Sequence, residues 1–154
     1  MDGKPRFDGV RDFLTSRSIQ LPEGSPDDPA EAETVCGLGN RKNELVNHVI
    51  ADEGVEPYAG TVQFIHQLRR NGFEIAVVTS SQNCTVVLKA AKLDGAFDAQ
   101  VDGNMIHVRH LAGKPAPDTF LMGAKLLGVE PARAVVIRTP VTRASEQRVG
   151  FTMR

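Results

Sequence analysis

Apolar residues recur at helical spacing from Phe7 onward, through Val10, Phe13 and Leu14. Asp8 and Asp12 stand near the start of this segment, where the helix macrodipole favours acids, so a short amphipathic helix is predicted. Residues 21–33 then gather Pro22, Gly24, Ser25, Pro26, Asp27, Asp28 and Pro29, which interrupt any regular element and predict an exposed loop. A second helix is predicted over about 41–52, with Leu45, Val46, Val49 and Ile50 on one face and Gly54 at its end.

After Pro57 the pattern changes. A helix is predicted from about residue 60, with Val62, Phe64, Ile65 and Leu68 inside and Asn71-Gly72 as its stop; the apolar run 74–78 then predicts a strand. A helix over 83–92, a strand over 97–101, a helix over 117–127 ended by Gly128, and the strand 134–137 follow. Strand and helix alternate, and two strands are continuously apolar, as a parallel sheet covered by helices requires. The expected architecture is an incomplete α/β domain preceded by a small helical unit, joined near residues 55–58. No internal repeat or low-complexity segment interrupts it.

Composition narrows the function classes. The 154 residues carry 18 Lys+Arg against 19 Asp+Glu, a net charge of -1, which excludes the concentrated basic field that nucleic-acid or membrane-surface proteins need. Cys36 and Cys84 lack the close spacing of a zinc or redox motif, which points to a reducing compartment. No apolar run approaches the roughly 20 residues of a membrane span, and the first residues lack a signal-peptide core, so a cytoplasmic protein is expected. Charge is uneven: residues 138–154 hold four arginines against the single acid Glu146, while residues 1–137 carry a net −4.

Candidate chemistry sits in three places. The strand at Val77-Val78 runs into Thr79-Ser80-Ser81-Gln82-Asn83, and in an open parallel sheet the ligand crevice lies beyond the carboxyl ends of the strands. The hydroxyls there, with free amides of the following helix, suit one phosphate; the plainer reading is that Ser81 or Asn83 caps the helix. Lys114 stands in Gly113-Lys114-Pro115-Ala116-Pro117-Asp118, a stiff turn that can present an ammonium to a phosphate, the alternative being a solvated loop lysine. Arg41 can clamp an anion from the helical unit or be an ordinary surface arginine. His48, His66, His107 and His110 form no catalytic or metal-binding pattern, and Gly37-Leu38-Gly39 lacks the preceding strand of a nucleotide fingerprint.

These residues resemble the haloacid dehalogenase superfamily in its beta-phosphoglucomutase-like branch, through Thr79 at a strand end, Phe97-Asp98, and the Gly-Lys-Pro-Ala-Pro-Asp string at 113–118. The resemblance runs in order from about Phe7 to Ile137. It implies a doubly wound core with an inserted helical cap, and Mg²⁺-dependent phosphoryl transfer through an aspartyl-phosphate on sugar phosphates or other small phosphate esters. Thr79 matches the family's second motif and Lys114 its third. Ser81 and Asn83 fall among the further phosphate-contacting positions, and Arg41 near the phosphate-binding arginine of the cap, while Ser80 is a phosphate candidate by its place at the strand end. The expected division is 1–55 partial cap, 56–137 partial core and 138–154 atypical tail.

Two departures bear on activity. The family's first motif, a strand bearing the nucleophilic Asp and a second Asp two residues later, is absent, and Asp2 and Asp8 have no apolar strand before them. The acidic pair expected after Ile137 is replaced by Arg138 and Thr139, and a cation at that position repels magnesium. Glu-Asp-Ala encoded GAG GAC GCC reads one base later as Arg-Thr-Pro, the string at 138–140, so a shifted frame at Ile137 is expected, the alternative being a divergent terminus. The sequence therefore predicts a phosphatase or phosphomutase truncated at both ends, inactive as it stands. The alternative is a non-catalytic phosphate-binding or regulatory module. Either partner is a small phosphorylated metabolite, with no nucleic acid and no membrane.

Overall fold

In the computed structural model, which describes residues 4–137, helix α1 (Arg6–Ser16) buries Leu14 and leads into a loop stitched by side chains. Asn40 closes that loop by donating from Nδ2 to the carbonyls of Pro26 (3.0 Å) and Asp28 (2.8 Å). Helix α2 (Val35–Glu53) begins six residues before the predicted start. Thr34 caps it, its Oγ1 accepting from the Gly37 amide at 2.9 Å. The two glycines that weaken the helical pattern are there for packing. A Cβ on Gly37 would lie 2.3 Å from the Ala32 carbonyl oxygen, and one on Gly39 would lie 2.7 Å from the Phe7 ring. Close approach of loop and α1 thus outweighs a propensity cost of about 1 kcal/mol per glycine.

Residues 54–58 connect α2 to helix α3 (Ala59–Arg70), which stops at Asn71 and Gly72 (φ 75°), as predicted. Strand β1 (Ala76–Val78), helix α4 (Cys84–Ala90) and strand β2 (Ala99–Val101) follow, and the strands pair in parallel, with Ala76 opposite Ala99 and Val78 opposite Val101. The alternation has the outcome expected of it, an α/β unit with a parallel sheet. Helix α6 (Asp118–Leu126) packs on both strands; Gly123 allows this, since a Cβ there would sit 3.2 Å from Val78 Cγ2.

Three expectations are corrected. Helix α5 (Gly103–Val108), absent from the sequence reading, starts where Asp102 Oδ1 accepts from the Met105 amide at 2.9 Å. Residues 134–137, read as a strand, follow a short 3-10 turn at Pro131–Arg133 and pair with no strand among the described residues; Val135 is 73% and Ile137 65% exposed. An apolar run becomes a strand only where a neighbour takes its backbone groups. The apolar face of α2 is also open, with Leu45, Val46 and Val49 all exposed. The core is instead built from Leu14, Ala30, Val35 and Cys36 in the helical unit, and Ile65, Cys84, Ala91, Val101, Ile106 and Ala124 around the sheet. The tail, including Arg138 and Thr139, lies outside the described residues.

Candidate functional site

The segment between β1 and α4 is a constructed loop. The Thr79 amide donates to the Val101 carbonyl at 2.9 Å, carrying the sheet register one step further. Thr79 Oγ1 then accepts from the Ser81 amide (3.2 Å) and Ser81 Oγ from the Asn83 amide (3.1 Å). The Thr79, Ser81 and Asn83 amides, which precede α4, are thus spent within the sheet and the loop. The hydroxyls still carry hydrogens, because an accepting hydroxyl keeps its own donor. Helix α5 supports the loop from beneath. The Gly103 amide donates to the Ser81 carbonyl (2.9 Å) and Asn104 Nδ2 to the Gln82 carbonyl (3.1 Å). Only glycine fits at 103, where a Cβ would meet the Ser80 carbonyl oxygen at 2.7 Å.

Above the loop lies a cleft of about 210 Å³. Thr79, Ser80, Ser81, Gln82 and Asn83 form one wall; Lys4, Arg6 and the α2 residues Gly39, Lys42, Asn43 and Val46 form the other. The α2 positions are spaced i, i+3, i+4 and i+7, one face of the helix. Among the described residues three cations therefore line the cleft, and no carboxylate does. Lys4 is paired with Asp12, and Arg6 Nη1 donates to Asn40 Oδ1 at 3.0 Å. Burial lowers the Arg6 guanidinium from its ordinary value, which still leaves an arginine charged. Asn83 Nδ2 donates across the cleft to Asn43 Oδ1 at 2.7 Å.

Four sequence candidates, Thr79, Ser80, Ser81 and Asn83, thus come together. Lys114 reaches the same strand end from another side: its Nζ donates to the Val78 carbonyl at 3.2 Å and lies 5.3 Å from the centre of the Phe120 ring, and it does not line the cleft. Arg41 is not brought in either. It is exposed, and its Nε donates to the Ala30 carbonyl at 2.7 Å. Neighbouring helical residues point about 100° apart, so Lys42 faces the cleft and Arg41 does not. Lys42, Asn43 and Arg6 escaped the sequence reading; the spacing 39, 42, 43, 46 was the available signal.

The described residues do not suit a magnesium ion. Mg²⁺ takes hard oxygen ligands, usually carboxylates, whereas this cleft presents ammonium and guanidinium groups. Among the described residues no group of three or more His, Cys, Asp or Glu is placed to hold a metal. Nearby acids are engaged elsewhere: Asp8 with Arg11, Asp98 with Arg69 (2.9 Å) and the Ile75 amide (2.8 Å), Asp102 with the cap of α5. Burial and then Asp102 push the pKa of the buried Cys84 thiol up, which disfavours the reactive thiolate.

Comparison with known proteins places the chain in a family. A family model described as haloacid dehalogenase-like hydrolase matches residues 4–137. Proteins named beta-phosphoglucomutase from Mycobacterium bovis and Mycobacterium tuberculosis are 45% identical over 150 residues, 97% of this chain and 57% of theirs. A pyrophosphatase from Bacillus cereus is 33% identical over 93 residues, 59% of this chain and 41% of its own. The chain thus spans little more than half the length of the mycobacterial relatives.

Proposed function

The chain belongs to the haloacid dehalogenase-like hydrolases, and on that premise we propose that its cleft binds the phosphate group of a small phosphorylated metabolite. The observation that carries this is the lining itself: Lys4, Arg6 and Lys42 face the hydroxyl and amide side chains of Thr79, Ser80, Ser81 and Asn83 with no carboxylate between them. Charge-assisted hydrogen bonds to phosphate oxygens need these groups. Lys114 adds positive charge at the end of β1, and Arg41 stays outside the set. A sugar phosphate is the favoured ligand, by the names of the mycobacterial relatives. In this reading residues 1–55 are part of a cap and 56–137 part of a phosphatase or phosphomutase core. The two buried free thiols, Cys36 and Cys84, suit a reducing cytoplasm.

Binding is not turnover. Phosphoryl transfer of the family's kind needs a nucleophile in line with phosphorus, an acid/base group and charge neutralisation by metal. Among the described residues the cleft supplies only groups that position and neutralise. We therefore infer that the 154-residue chain acts as a phosphate-binding unit, which also serves the second reading, a regulatory module. Calorimetric titration with inorganic phosphate and glucose 1-phosphate, with and without Mg²⁺, tests this. Binding is expected in both conditions, weakened about tenfold in Lys42→Ala, the equivalent of one charged hydrogen bond. No binding in either condition overturns the proposal. Mg²⁺-dependent hydrolysis of p-nitrophenyl phosphate that disappears in Thr79→Ala and Lys114→Ala overturns the inference of inactivity.

A further inference from the structure

We propose that the hydrogen bond between Asn83 and Asn43 is a latch that an anionic ligand must displace. It rests on the phosphate-site reading above and concerns the regulation of that site. Asn83 Nδ2 is one of the donors that faces the cleft, yet in this structure it is spent on Asn43 Oδ1, forty residues away on α2, at 2.7 Å. The bond ties the helical unit to the ligand loop by side chains that both line the cleft. A phosphate oxygen that recruits Asn83 therefore competes with Asn43 for one donor.

A second observation concerns the same face of α2. Asn47 lies one turn beyond Asn43, on the same side of α2, and its Oδ1 is buried with no hydrogen-bond partner among the described residues. Buried acceptors are normally satisfied, and an orphan costs about 1–3 kcal/mol. The latch thus adds one hydrogen bond between α2 and the loop, while one acceptor on α2 stays unsatisfied.

The test uses the full chain and inorganic phosphate. Competition gives opposite signs: Asn43→Ala frees the donor and tightens phosphate binding about fivefold, the worth of one net hydrogen bond, while Asn83→Ala removes the donor and weakens it. Asn43→Leu, which keeps the volume, is expected to match Asn43→Ala. Side-chain amide exchange of Asn83 with water, followed by NMR without phosphate, reads the latch independently and is expected to speed up in both Asn43 variants. Affinity that falls in all three variants marks Asn43 as a ligand contact or a structural bond and overturns the proposal. Unchanged exchange of the Asn83 amide overturns it as well. If no chain binds phosphate while exchange still accelerates, the phosphate-site reading fails and ligand competition with it, but the tie between α2 and the loop stands.

Discussion

Gly103 carries more of the site than its lack of a side chain suggests. A methyl group there would sit 2.7 Å from the Ser80 carbonyl oxygen and 2.9 Å from the Gln82 amide nitrogen, both backbone atoms that cannot swing aside. Gly103→Ala is expected to cost about 1–3 kcal/mol of stability, the range for overpacking, and to weaken phosphate binding by displacing the loop. Chemical denaturation together with calorimetry reads both effects; an unchanged midpoint and affinity would show that the loop yields. Glu23 offers a pH test. The hydrogen bonds from Arg11, at 2.8 and 3.1 Å, hold its carboxyl below the ordinary glutamate value. A depressed folded-state pKa contributes stability above the ordinary value of about 4.3, lost as pH falls through the depressed one. Glu23→Gln should therefore melt slightly below the parent chain at pH 7, and the difference should vanish once the pH falls through the depressed value, by circular dichroism. The effect is small because the pair is exposed.

At the scale of elements, the clearest lever is the start of α2. Thr34 Oγ1 accepts from the Gly37 amide and donates to Asp28 Oδ2 at 2.7 Å, so one side chain both begins the helix and anchors the loop before it. Thr34→Ala is expected to cost about 1 kcal/mol, the usual worth of an N-cap, and Thr34→Ser to recover most of it. Urea unfolding of the three chains measures this, and equal midpoints would remove the cap from the account. Because Lys42 and Asn43 ride on α2, the alanine variant should also bind phosphate less tightly. The segment 134–137 teaches the converse. Its residues have strand propensity, but the described residues provide no strand beside it, and propensity without a pairing partner leaves an extended, exposed run.

Across the whole molecule, unpaired apolar surface is the dominant physical feature. Within the described residues β1 pairs only with β2, and Leu45, Val135 and Ile137 are 61%, 73% and 65% exposed. Open strand edges and exposed aliphatic residues each favour self-association. Sedimentation is expected to show concentration-dependent association at ~100 μM, reduced by combining Val135→Lys with Ile137→Lys; a monodisperse monomer in the parent chain would refute this. The same scale separates what was legible in the chain from what was not. Helical and strand periods, the stops at Gly54 and Gly72, and the hydroxyl run at the end of β1 are local, set by side chains within one or two turns of each other, so the sequence alone determined them. The early start of α2 was not legible, because its glycines are explained only by Ala32 and Phe7 packing against them. Helix α5 rests on a cap at Asp102 and on the loop it supports. That Lys42, rather than Arg41, lines the cleft with Thr79 depends on the rotation of α2 against a loop some forty residues away. Spacing along a chain decides which residues share a face, but only packing decides what that face meets, and the cleft exists only where the two units meet.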